Sequence, residues 1–129
     1  MGRSGNSEKY LELVKKLKTE LPDCVIRSTF MLGFPGETDE DFECLLNFLK
    51  EAELDWCGFF TYSKEEGTKA GRMKGKVPAA TAGLRKAQAE ELQTGITEKR
   101  LERFVGREVE ILVEELIAEE DIALGRGYM

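Results

Sequence analysis

Histidine is absent from the 129 residues, which removes Ser-His-Asp and Cys-His catalysis, His-ligated zinc and a histidine pH switch. Cysteines, carboxylates and arginine remain as carriers of chemistry. Cys24, Cys44 and Cys57 include no CxxC or CxxxCxxC pair, so their spacing is not that of a metal site. An odd count without a secretory signal also argues against a disulfide framework, and reduced, partly buried thiols are expected. Glu37, Asp39, Glu40 and Asp41 form a carboxylate cluster that could serve a metal or acid-base chemistry. At a helix start, capping and the helix dipole account for the same residues. In residues 64–76, Lys64, Lys69, Arg72, Lys74 and Lys76 outnumber Glu65 and Glu66, a local excess that could touch phosphate or simply be a solvated loop. Arg27 stands inside an apolar stretch, where a guanidinium needs an anionic or carbonyl partner to offset desolvation. A carboxylate-bearing ligand and a structural salt bridge both satisfy that need.

These residues must be positioned by alternating helices and strands. Ser7 can cap a first helix in which Tyr10, Leu13, Val14, Leu17 and Leu21 recur at three- and four-residue steps, and Pro22 ends it. Residues 25–32 then read as a buried strand, with Ile26, Ser28, Phe30 and Leu32 on one face and Val25, Arg27, Thr29 and Met31 on the other. Gly33-Phe34-Pro35-Gly36-Glu37-Thr38 turns out of that strand, two glycines flanking a fixed proline φ. Thr38 opens a capping-box pattern ahead of Phe42, Leu45, Leu46 and Leu49 on one helical stripe. Residues 54–62 read as a second, aromatic-rich strand, and residues 63–77 as a turn-rich connection. The order helix, strand, helix, strand predicts parallel strands joined by crossover helices, as in an α/β layer or barrel.

After Pro78 a helix is expected with Leu84, Leu92 and Ile96 as its apolar ladder, although Gly83 and Gly95 weaken it. Residues 108–114 alternate as a half-exposed antiparallel strand, and residues 122–126 could pair with it as a hairpin. Two strands make no stable sheet alone, so the last part reads as a truncated domain.

A 14.5 kDa chain suits one domain, or one domain with a piece of a second. Charged residues make up 34%, against about 25% in average proteins, which implies a soluble, ionic surface. No apolar run approaches the roughly 20 residues needed to cross a bilayer, and a cytoplasmic location without membrane contact is the expectation. A net charge of -6 argues against a nucleic-acid module that works by global charge.

The run from Arg27 through Thr38, then Asp41-Phe42, Gly58-Phe59-Phe60-Thr61-Tyr62-Ser63 and Glu66-Gly67-Thr68-Lys69-Ala70, resembles the second half of a radical S-adenosylmethionine (SAM) methylthiotransferase. The GFPGET loop alone fits many radical SAM enzymes; the Tyr-Ser...Glu-Gly-Thr-x-Ala block at this distance narrows the resemblance to the methylthiotransferases. Residues 104–114 with Gly125-Arg126 resemble the opening of the small β-barrel, the TRAM domain, that ends these enzymes. Met1-Gly2-Arg3 resembles an interior Arg-Met-x-Arg segment of the family, as if the chain started mid-domain. The fold implied is a fragment of a partial (β/α) radical SAM barrel over residues 1–103, followed by a truncated TRAM-like β domain over residues 104–129.

One branch of the family modifies an adenosine of transfer RNA and another thiomethylates an aspartate of a small-subunit ribosomal protein. The acidic Ser63-Lys64-Glu65-Glu66-Gly67 block and the Gly125-Arg126-Gly127-Tyr128 ending look like the ribosomal-protein branch, since a transfer-RNA enzyme more often shows Arg-Pro before that glycine. The resemblance implies SAM and two 4Fe-4S clusters in the complete enzyme, where reduction of SAM yields a 5'-deoxyadenosyl radical and the second cluster takes part in sulfur delivery. The CxxxCxxC loop and the N-terminal cluster domain have no counterpart here, so this polypeptide is expected to bind no cluster and to be silent by itself. It would hold one side of the SAM pocket, with Arg27, Thr29, Met31, Gly33, Phe34, Pro35, Gly36 and Glu37 as the cofactor-facing residues. Against the superfamily pattern GxIxGxxE, Met31 and Gly33 match the Ile and second Gly, while Thr29 replaces the first Gly and Glu37 falls one residue late. A non-catalytic module that holds RNA or a ribosomal protein, and a purely structural fragment, are the other readings.

Overall fold

The protein is described by a computed structural model covering residues 6–118 and 122–128. The Met1-Gly2-Arg3 segment lies outside the described residues. Helix α1 spans Ser7–Glu20, strand β1 Arg27–Leu32, helix α2 Asp39–Ala52 and strand β2 Trp56–Thr61. Helix α3 follows at Ala79–Leu101, then strands β3 at Leu112–Ile117 and β4 at Ile122–Arg126. Strands β1 and β2 pair in parallel from Arg27↔Trp56 to Leu32↔Thr61, with α2 as the connection the alternation of patterns predicted. Strands β3 and β4 form an antiparallel hairpin with an irregularity between Val113 and Glu115. The architecture is therefore mixed α/β with two two-stranded sheets, and among the described residues no barrel closes.

The core forms where one face of the parallel pair meets α2 and α3. Leu32, Phe42, Leu49 and Ala89 are buried together, and Phe30 stacks on Phe59 at 5.8 Å while its edge meets Phe48 at 6.0 Å. The opposite face, with Arg27, Thr29, Met31, Trp56, Gly58 and Phe60 by period and register, is covered by no other element of the described residues. The expectation of a buried β1 is thus corrected to a strand buried on one face only.

Local chemistry fixes the helix ends. The capping box at α2 is present as expected: Thr38 Oγ1 accepts from the Asp41 N–H, and the Asp41 carboxylate accepts from the Thr38 N–H at 2.9 Å. At the other end of α2, Lys18 Nζ donates to the carbonyls of Ala52 and Glu53 at 2.8 Å each, a cation placed on carbonyls that the helix leaves unpaired. Asn6, not Ser7, caps α1, because its side-chain oxygen reaches the Lys9 N–H. The proposed apolar stripe of α1 is mostly open: Val14 is buried, whereas Tyr10, Leu13 and Leu21 are exposed.

Helix α3 is continuous through Gly83 and Gly95, and its buried stripe is not the one expected. Leu84 is 68% exposed, whereas Ala82, Arg85, Ala89 and Gln93 face inward. Small alanines let the helix lie close to the sheet; the Arg85 guanidinium and the Gln93 amide nitrogen find partners, while Gln93 Oε1 is buried with none among the described residues. Gln93 donates to the Leu54 carbonyl at 2.9 Å, and Thr97 donates to the Asp55 carbonyl at 2.8 Å. The expected strand over residues 108–114 begins only at Leu112, and β3 and β4 pack on each other alone among the elements. The edge of Phe104 on Tyr128, at 5.9 Å, joins the turn after α3 to the tail of the hairpin.

Candidate functional site

The carboxyl ends of parallel strands are where an α/β sheet offers ligands a crevice bounded by loops. Here that crevice, about 210 Å³, lies between Gly33 and Pro35 after β1, Thr61 and Tyr62 at the end of β2, Lys76 before α3 and Ala82 in its first turn. It is smaller than the roughly 300–1,000 Å³ that encloses a drug-sized ligand. Tyr62 extends the pairing by donating its N–H to the Leu32 carbonyl at 2.8 Å, and Phe34 packs its ring edge-on against the Tyr62 ring at 5.4 Å. The Tyr62 hydroxyl is buried with no hydrogen-bond partner among the described residues. An unsatisfied buried hydroxyl costs about 1–3 kcal/mol, so this one is available to a polar ligand atom.

The loop after β1 is held from three directions. Gly33 takes φ 73°, and a Cβ there would lie 2.6 Å from the Ala82 Cβ, so only glycine lets α3 approach this closely. Its N–H donates to Glu37 Oε2 at 2.9 Å, closing the loop on itself. Gly36 takes φ 91°, and its N–H donates to the Gly75 carbonyl at 2.8 Å. Arg85, buried on α3, then donates to Glu37 Oε1 at 2.5 Å and to Asp39 Oδ1 at 2.6 Å, with its guanidinium 5.6 Å from the centre of the Phe42 ring.

The eight residues expected to face a cofactor are therefore distributed rather than gathered. Gly33 and Pro35 line the crevice. Phe34 supports Tyr62, and both carboxylate oxygens of Glu37 are engaged by Gly33 and Arg85. Thr29 and Met31 lie on the open face below the crevice. Arg27 is at the far end of β1, about 20 Å from Gly33 at the strand rise of roughly 3.3 Å per residue. It is exposed and makes no ion pair among the described residues, which removes the structural salt bridge weighed for it. It lines a separate, 390 Å³ depression with Trp56 and Tyr128.

Two buried charges escaped the sequence reading. Asp55 is fully buried at the amino end of β2 and accepts from Arg100 at 3.1 Å, Arg103 at 2.6 Å and the Ile26 N–H at 2.8 Å. Burial pushes its carboxyl upward, but Arg103, the Ile26 N–H and Arg100 together hold it below the usual range. Arg85 is the other. Arg85 was legible only as a polar residue in register with a buried stripe, Ala82, Arg85, Ala89 and Gln93 recurring at three- and four-residue steps, and Asp55, just before β2, had no such periodic signal. The cysteines do not converge on a metal site: among the described residues no three His, Cys, Asp or Glu side chains could hold an ion. Cys44 is exposed, against the expectation of partial burial, while burial pushes the half-buried Cys57 thiol up to about 12.

No protein-family model matches the chain. It is 50% identical to the ribosomal protein uS12 methylthiotransferase RimO of Treponema denticola, over 99% of this chain and 30% of that protein. A RimO of Thermus thermophilus is 46% identical over 99% of this chain and 29% of its own length. That of Symbiobacterium thermophilum is 51% identical over 88% of this chain and 23% of its own length. The chain spans about 30% of the length of the first of these relatives. Along nearly its whole length the chain is therefore similar to one segment, rather under a third, of proteins named RimO, methylthiotransferases of ribosomal protein uS12.

Proposed function

We propose that this chain works as part of a radical SAM methylthiotransferase that replaces a hydrogen of an aspartate in ribosomal protein uS12 with a methylthio group, in the cytoplasm. The observation that carries the reading is the crevice at the carboxyl ends of β1 and β2, bounded by the glycine loop and an unpartnered Tyr62 hydroxyl. It lies in a chain whose relatives carry that activity in their names. Residues 1–103 are then a part of the SAM-binding barrel and residues 104–129 the start of a TRAM domain. The hairpin that packs on no other element of the described residues supports that division. The open face of β1 and β2 becomes the barrel interior.

The residues fit SAM as one wall. The glycine loop admits close backbone approach, the Tyr62 hydroxyl offers a hydrogen bond, Thr29 and Met31 continue the wall, and at its far end Arg27, which makes no ion pair among the described residues, is the cation for the ligand carboxylate. When bound and reduced, SAM supplies the radical that removes hydrogen from the substrate. The described residues do not fit an iron-sulfur cluster, so both clusters are assigned to the rest of the enzyme.

The test replaces the matching segment of the Thermus thermophilus relative with this chain and follows a uS12 peptide by mass spectrometry under anaerobic conditions. A SAM-dependent gain of one methylthio group on aspartate is expected. A hybrid that folds and keeps its clusters but leaves the peptide unmodified overturns the reading. Modification of transfer RNA instead would assign the chain to the other branch, and salt-dependent RNA binding without turnover would assign a non-catalytic role.

A further inference from the structure

We propose that Arg85 is a positioning residue that sets the shape of the glycine loop from a different helix, acting through Glu37 on the Gly33 N–H. The geometry is a relay. Arg85 is 7% exposed on α3, and one guanidinium nitrogen meets Glu37 Oε1 at 2.5 Å while the other Glu37 oxygen accepts from the Gly33 N–H at 2.9 Å. The second guanidinium nitrogen meets Asp39 Oδ1 at 2.6 Å, so the same fork ties the loop to the first turn of α2. Three residues before Arg85, Ala82 presses on Gly33 so closely that no Cβ fits between them. Helix α3 thus fixes the position of the loop by contact at Ala82 and its orientation by charge at Arg85. Both Glu37 oxygens are engaged by the protein, which moves Glu37 from the cofactor-facing set to the support behind it. Glu37 is a strong support because its side chain is only 12% exposed, where a carboxylate without a cation would be costly.

This inference rests on the reading of the loop as a SAM-facing wall, and the experiment separates the two. Arg85→Lys keeps a cation beside Glu37 but cannot fork to Asp39, and Glu37→Gln keeps an acceptor for Gly33 while cancelling the charge. Amide hydrogen exchange of the full chain is compared at Gly33 and Gly36 and, as a core reference, at Leu49 and Ala89. SAM affinity is measured in the hybrid enzyme carrying the same substitutions. Exchange at Gly33 should rise about tenfold, the equivalent of one weakened charge-assisted hydrogen bond, with the reference amides unchanged and SAM affinity reduced. Unchanged exchange at Gly33, or equal acceleration of Leu49 and Ala89, overturns the positioning role. Faster exchange at Gly33 with SAM affinity intact keeps the role and overturns the loop as a SAM wall.

Discussion

Arg27 and Gly33 stand at the two ends of one strand, and their demands on the chain are opposite. Gly33 is needed for what it lacks. Gly33→Ala must place a methyl group 2.6 Å from the Ala82 Cβ and hold an L-residue at φ 73°. The left-handed backbone alone costs roughly 1–2 kcal/mol, and the contact adds to it by driving α3 from the loop. A fall in the urea midpoint and a loss of Gly33 loop protection in amide exchange are expected; a midpoint within error of the unsubstituted chain would mean that α3 yields freely there. Arg27 is needed for what it has to spare. Its guanidinium is exposed and makes no ion pair among the described residues, so Arg27→Lys should leave the melting temperature unchanged. In the hybrid enzyme the same substitution keeps the charge but loses the planar fork, and SAM should bind about tenfold more weakly with cluster content unchanged. Unaltered affinity removes Arg27 from the site and leaves the crevice end of β1 to carry it.

Between the elements, the decisive joints are buried charges at the two ends of the parallel pair: Arg85 at the carboxyl ends and Asp55 at the amino ends. Asp55 receives Arg100 from the end of α3, Arg103 from the turn that follows it and the Ile26 N–H from the entry to β1, so one carboxylate locks these segments together. Its folded carboxyl titrates below the unfolded one, so its contribution is present above the unfolded value near 3.9 and is lost as pH falls through the folded one. Asp55→Asn should therefore lower stability by about 3 kcal/mol at neutral pH, the loss of a buried partner to two cations. The difference from the unsubstituted chain should shrink as both are acidified. Urea midpoints at about pH 7 and about pH 3 check it; a deficit that persists undiminished in acid would assign Asp55 a packing role instead. The order of α1, β1, α2 and β2 was legible because hydrophobic period and capping are local signals, seen in the Thr38 box and the Phe42, Leu45, Leu46 and Leu49 stripe. The inward face of α3 was not, because Arg85 and Gln93 are buried only by virtue of partners up to 48 residues away. Leu84 misled for the same reason: its side of the helix is exposed among the described residues. The glycine loop was visible as a motif, but the support of Glu37 from Arg85 depends on a tertiary contact that no spacing encodes.

At the scale of the whole molecule, a two-stranded parallel sheet with one face uncovered among the described residues is an unusual object, since parallel sheets are ordinarily covered on both faces. Trp56 is 39% and Phe60 42% exposed on that face, and the outer edges of β1 and β2 have no strand beside them among the described residues. The β3–β4 hairpin adds Leu112, Leu116 and Leu124, all exposed. Unpaired strand edges beside apolar surface favour pairing between copies, and a net charge of -6 opposes it only at low ionic strength. The isolated chain is therefore expected to associate as its concentration and the salt concentration rise, with light scattering reporting masses above 14.5 kDa. Trp56 is the one tryptophan of the sequence, so its emission identifies which surface is used. A shift to shorter wavelength on association places the contact on the parallel pair, and Phe60→Ser should then weaken association without changing the far-ultraviolet circular dichroism. Association with unshifted Trp56 emission would place the contact on the hairpin, where Leu116→Ser becomes the variant that weakens it. A chain that stays at its monomer mass at high protein and salt concentration would mean that the open face is tolerated in water, and its assignment as the interior of a larger barrel would lose its energetic support.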